Sequence, residues 1–132
     1  FLPGLRKNNM SSRARAFWQG HLDKQTENNT YYRKVIHTNA QQQLVLMKLS
    51  PGQEIGCEVH PETSQFLRVE QGSGVVALNG SEYRVRAGYA VVVPPGTWHN
   101  VTAGDQGLWL YTVYSPPEHP SGCKQKTRPR EG

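Results

Sequence analysis

Residues 51–72 read PGQEIGCEVHPETSQFLRVEQG, and the division of this stretch between strand and turn decides the fold. Read as extended chain, EIGCEVH sets Ile55, Cys57 and Val59 on one face and Glu54, Gly56, Glu58 and His60 on the other. HPETS is turn-rich, and QFLRVEQG is the next strand. A carboxylate and an imidazole thus project together from Glu58 and His60, and Gln65 arrives from the neighbouring strand.

The flanks carry the same texture. YYRKVIHTN is rich in β-branched and aromatic residues, and QLVLMKL is a short apolar run stopped by Pro51-Gly52, as a buried strand would be. Gly72-Ser73-Gly74 reads as a turn into VVAL, and Asn79-Gly80 is a strong two-residue hairpin signal leading into SEYRVR. AVVV, the turn around TWHN, a strand at HNVTA, a turn at AGDQG and a strand at LWLYTVY follow. Many short strands separated by Gly/Pro turns predict an all-β sandwich or barrel over residues 31–117. Residues 1–30 form a polar N-terminal arm, in which SSRARAFWQGHL can make a short helix capped by Ser11 or Ser12 and ended by Gly20. Phe17, Trp18 and Leu22 would be its apolar face. Residues 118–132 read as a flexible or draped tail.

Composition excludes several classes. No run approaches the roughly 20 apolar residues of a membrane-spanning helix, and FLPGLRKNNM lacks the pattern of a signal peptide. The net charge of +5 is uneven: residues 1–30 hold five basic and two acidic side chains, residues 31–117 six of each, and residues 118–132 four and two. Charge gathered in arms around a neutral barrel argues against a nucleic-acid partner, which calls for a basic folded face. Two cysteines, Cys57 and Cys123, are too few for a disulfide framework and point to a reducing, cytoplasmic setting. Cys57 alternates with Glu58 and reads as a packing residue rather than a ligand.

Glu58, His60 and Gln65, joined by His99 from the loop after PPGTW, form a mixed nitrogen and oxygen donor set. Such a set suits one divalent ion of the Zn, Fe, Mn or Ni type and not a thiolate-seeking metal. A glutamate and a histidine two residues apart occur often on exposed strands, so spacing alone does not make a site. Arg68, Tyr83 and Tyr111 lie on strands without an assignable face, Trp98 reads as a packing residue, and His21, His37 and His119 read as surface groups.

The glycine and proline spacing around the four donors resembles the cupin superfamily. Its first motif is Gly, five residues, His, one, His, three or four, Glu, six, Gly; Gly52, Glu58, His60, Gln65 and Gly72 occupy those positions. Its second is Gly, five, Pro, one, Gly, two, His, three, Asn; Gly88, Pro94, Gly96 and His99 match, and Ala103 stands at the Asn position. Glu58 replaces the first His and Gln65 the Glu. The resemblance, nearest to the single-domain phosphomannose-isomerase-like group, implies a conical double-stranded β-helix (jelly roll) and a homodimer, for which Phe17-Trp18 is a candidate contact. It also implies metal ligands at Glu58, His60, Gln65 and His99.

These readings together suggest a small-molecule enzyme acting on a sugar-like or enolisable substrate, in the manner of an isomerase, with Glu58 as general base. Dioxygenase chemistry with a redox metal, and a non-catalytic barrel that holds a small ligand, are the alternatives.

Overall fold

The computed structural model describes residues 16–129. Among the described residues one helix precedes seven strands: α1 (Leu22–Asn28), β1 (Arg33–Thr38), β2 (Gln43–Leu49), β3 (Ser64–Leu78), β4 (Ser81–Arg86), β5 (Ala90–Val93), β6 (His99–Ser115) and β7 (Lys124–Gln125). The strands run β4-β3-β6-β2-β1-β7, with β5 also paired to β3, and every pairing is antiparallel. The all-β expectation is met.

Two long strands, of 15 and 17 residues, form the spine. The sequence suggested a turn at Gly72-Ser73-Gly74 and another at AGDQG; both are irregularities within β3 and β6 instead. Gly72 pairs with Leu108 and Gly74 with Ala103, so residues 104–107 bulge opposite Ser73 alone. The glycines serve close approach. A Cβ on Gly72, whose φ is +85°, would lie 2.1 Å from the Gly107 carbonyl oxygen, and one on Gly74 would lie 2.3 Å from that of Thr102. By contrast, Asn79-Gly80 is the predicted two-residue hairpin, with φ of 47° and 88° between β3 and β4.

Side chains alternate as the pleat requires, and the inner face is graded along the barrel. At one end Gln43 of β2 and Gln65 of β3 are both register partners of Tyr114. The next level places Val45 and Leu67 against Thr112, and the level beyond sets Met47 and Val69 against Leu110. All of these side chains are buried. The interior therefore passes from polar to wholly apolar over a few residues, and only its polar end is suited to chemistry. Burying a Leu, Met or Val side chain contributes about 1.5–3 kcal/mol, so the apolar levels stabilise the barrel while the polar level is supported by them.

The helix begins at Leu22, beyond Gly20 where the sequence suggested that one would end. Residues 16–20 are not helical, and the Ser11/Ser12 cap lies outside the described residues. LDKQTEN carries the helix formers Leu22, Lys24, Gln25 and Glu27 and an acidic Asp23 in the first turn, where it complements the helix dipole. Phe17 is 86% exposed. Trp18 and Leu22 border a groove with Leu44 and Val113.

Residues 118–129 lie along the barrel. Lys124 and Gln125 pair with Lys34 and Arg33 of β1. Lys34, Lys124 and Lys126 all come within 4.6–5.8 Å of the Tyr31 ring centroid. Two tail cations are thus held on a folded surface and not in a loose arm. No helix among the described residues is long and apolar enough to cross a membrane.

Candidate metal centre

The polar end of the barrel receives its chemistry from two loops. Glu58 and His99 form an isolated antiparallel bridge: the Glu58 N–H donates to the His99 carbonyl at 2.8 Å, and the His99 N–H to that of Glu58 at 2.9 Å. The Gly96 N–H donates to the His60 carbonyl at 2.9 Å, tying the second loop to the first. At the base of that loop, the Asn79 side-chain oxygen accepts from the Trp98 N–H at 3.0 Å, and the Asn79 N–H donates to the Trp98 carbonyl at 2.8 Å. The β3–β4 hairpin tip therefore braces His99, which is why loops far apart in sequence hold their side chains together.

Glu58, His60 and His99 bring one donor atom each within 4.8 Å of one another. The two imidazole centroids are 5.1 Å apart, and His60 Nε2 is 3.8 Å from Glu58 Oε1. Both rings are buried, while the Glu58 side chain is 35% exposed, so the carboxylate forms the solvent side of the cluster.

The hydrogen bonds settle which nitrogen each ring turns inward. His99 Nδ1 lies 2.9 Å from the Thr97 carbonyl oxygen, and His60 Nδ1 lies 2.8 Å from a Glu118 carboxylate oxygen. Both partners are acceptors, so both Nδ1 atoms carry the proton and both Nε2 atoms offer a lone pair. Those two Nε2 atoms are buried without a hydrogen-bond partner. Gln65 repeats the arrangement: its Nε2 donates to Thr112 Oγ1 at 3.0 Å, and its Oε1 is buried without a partner. Buried polar atoms left unpaired cost free energy, so three of them at one end of a barrel call for an explanation. A divalent cation satisfies nitrogen and oxygen donors of this kind together, and the residues present fit one.

Two side chains read as packing residues are exposed, and three left without a face lie away from the cluster. Cys57 is exposed rather than packed. Trp98 is 55% exposed, at the rim beside His99. Arg68 lies near Glu70 at 3.7 Å, Tyr111 contacts Phe66, and Tyr83 is exposed, so none of the three enters the cluster.

His119, read as a surface group, is half-buried with its ring edge against Tyr114 at 5.2 Å. Burial, with the nearby Arg33 charge, lowers its pKa to about 4. Burial also pushes the Tyr114 hydroxyl well above the usual tyrosine range. Sequence reasoning missed Gln43, Thr112, Tyr114 and Glu118. The first three could have been flagged as polar residues in step with inward apolar neighbours, whereas nothing local marks Glu118.

A small jelly-roll barrel carrying two inward imidazoles and a carboxylate at its polar end defines a class, and comparison with known proteins agrees. Residues 45–114 match the family described as Cupin domain. The chain belongs to the cupins. It is 41% identical over 114 residues to uncharacterized protein L612 of Acanthamoeba polyphaga mimivirus, a match spanning 82% of this chain and 71% of that one. A solved structure of BH2720 from Bacillus halodurans superposes with a TM-score of 0.82 at 37% identity, covering 84% of this chain and 89% of that one. A shorter match, 32% identical over 65 residues, joins 49% of this chain to 42% of the dimethylsulfoniopropionate lyase DddW of Ruegeria pomeroyi.

Proposed function

We propose that this cupin binds one divalent metal ion through His60, His99, Glu58 and Gln65 and acts as a small-molecule enzyme on an enolisable, sugar-like substrate. The observation that carries the proposal is the set of three buried, unpartnered donor atoms, His60 Nε2, His99 Nε2 and Gln65 Oε1. When bound, the ion supplies Lewis-acid polarisation of a substrate oxygen. The chain supplies the rest. The buried imidazoles and the apolar levels beneath them exclude water from one side, so substrate enters past the half-exposed Glu58.

In this reading Glu58 takes a proton from the hydroxyl-bearing carbon beside a carbonyl and returns it to the former carbonyl carbon, while the hydroxyl proton passes to the former carbonyl oxygen, so the carbonyl moves by one position with no change in composition. The lyase name of the Ruegeria relative supports an enzymatic rather than a purely binding role. Dioxygenase chemistry is the second reading, and the same donor set admits iron or nickel.

The test is deuterium exchange. Metal-loaded protein incubated in D2O with a panel of 2-hydroxy aldehydes and ketones should place deuterium at the carbon beside the carbonyl, and Glu58→Gln, kept metal-loaded by excess ion because it gives up a carboxylate ligand, should abolish this. Exchange that survives in Glu58→Gln would remove Glu58 from the role. No exchange, but dioxygen uptake by the iron form, would favour the dioxygenase reading.

A further inference from the structure

We infer that Glu118 is a positioning residue for the metal centre and that buried Gln43 is the peg that holds it in place. The inference rests on the reading of His60 as a ligand and extends the site to the segment after the last long strand. The His60 Nδ1–H donates to Glu118 at 2.8 Å, within the range of a charge-assisted hydrogen bond. That contact selects the tautomer whose Nε2 lone pair faces the cluster, and it fixes the ring's rotation.

Glu118 lies on irregular backbone, which on its own would leave the carboxylate free to depart. Gln43 prevents this. Its Oε1 accepts from the backbone N–H of Glu118 at 3.2 Å and of His119 at 3.0 Å. Its Nε2 donates to the His119 carbonyl at 2.7 Å and to Thr38 Oγ1 at 3.0 Å. Every hydrogen-bonding position of this fully buried amide is used, three of its four bonds going to the backbone on which Glu118 sits. The His119 ring against Tyr114 adds a second anchor beside the first. A polar core residue at the barrel end thereby fixes, through a backbone segment, the tautomer of a ligand on another loop.

The full chain is tested in two ways, by the ring 15N–1H correlations of His60 in chelator-treated protein at pH 8 and by titration with zinc alone. The wild-type ring should show the Nδ1–H tautomer. Glu118→Ala should shift it toward Nε2–H and weaken zinc binding about 10- to 100-fold. Glu118→Gln, which keeps an acceptor, should retain the tautomer and most of the affinity. Gln43→Ala should reproduce the tautomer change although Glu118 and His60 are both intact, an effect that a merely structural role would not produce. If that variant does not fold, Gln43→Asn, one methylene shorter, takes its place with the same expectation.

An unchanged tautomer in Glu118→Ala with zinc affinity within twofold would overturn the inference. Wild-type protein that binds no zinc, manganese, iron or nickel would overturn the metal reading instead, and the tautomer would still decide whether Glu118 orients His60.

Discussion

Replacing Gln65 with leucine and Thr112 with valine together should leave the metal-free stability level or raised while the metal affinity falls. Gln65 is 2% exposed, with one hydrogen bond, to Thr112, and one buried oxygen that has no partner. Leaving such an acceptor unpaired costs about 1–3 kcal/mol, and the bond to Thr112 contributes about 0.5–1.5 kcal/mol. Gln65→Leu combined with Thr112→Val removes both without leaving the fully buried Thr112 hydroxyl unpaired, so the metal-free double variant should be unchanged or stabilised by up to about 2 kcal/mol. With roughly 3–6 °C per kcal/mol for a domain of this size, the melting temperature should hold or rise by up to about 10 °C. The metal-bound chain loses an oxygen ligand, so zinc affinity should fall at least tenfold. Thermal unfolding followed by circular dichroism with and without chelator, together with zinc titration, measures both. A metal-free variant destabilised by more than about 1 kcal/mol, with unchanged zinc affinity, would show that Gln65 is an ordinary core amide and that the reasoning from unpaired donors fails.

Three further outcomes are expected. Gly72→Ala should cost more than about 3 kcal/mol or prevent folding, because the new Cβ meets backbone and the residue has a positive φ; Gly52→Ala, with φ of +75° and nothing within 4 Å, should cost only about 1–2 kcal/mol in chemical denaturation. His119, whose pKa is lowered to about 4 and which faces Arg33, His60 and Tyr114, takes up a proton in the unfolded chain before it does so in the native one. Its contribution is therefore complete above about pH 6.5 and is lost as pH falls toward 4; for a half-buried group this amounts to about 1–2 kcal/mol, and His119→Phe should flatten the stability curve in that window. A homodimer is proposed through Phe17, so light scattering should give twice the chain mass, and Phe17→Ser should lower it; a monomer in both would remove the proposal.

What the sequence made legible was local. The buried apolar run of β2 and the Asn79-Gly80 hairpin follow from nearest neighbours, whereas EIGCEVH, read as a strand, is a loop with isolated bridges at Glu54 and Glu58, and the bridge to His99 is what sets Glu58 in place. Gly72 and Gly74 misled because a glycine required for close strand approach looks, in one dimension, like a glycine required for a turn. Only the pairing of Gly72 with Leu108 distinguishes the two. His99 could be joined to the site only through a resemblance, since its convergence depends on the bridge to Glu58. Glu118 was not legible at all. It reaches His60 because Gln43, 75 residues earlier in the chain, binds its backbone, and no pattern near Glu118 encodes that.

The most direct test of the central claim is the metal content of the purified 132-residue chain, measured by elemental analysis after exhaustive dialysis and again after reloading with zinc, manganese, iron or nickel. The account predicts close to one divalent ion per chain, lost in the His60→Ala, His99→Ala double variant while the barrel's circular dichroism is retained. No stoichiometric ion with any of the four metals, and no change in stability on chelation, would contradict it.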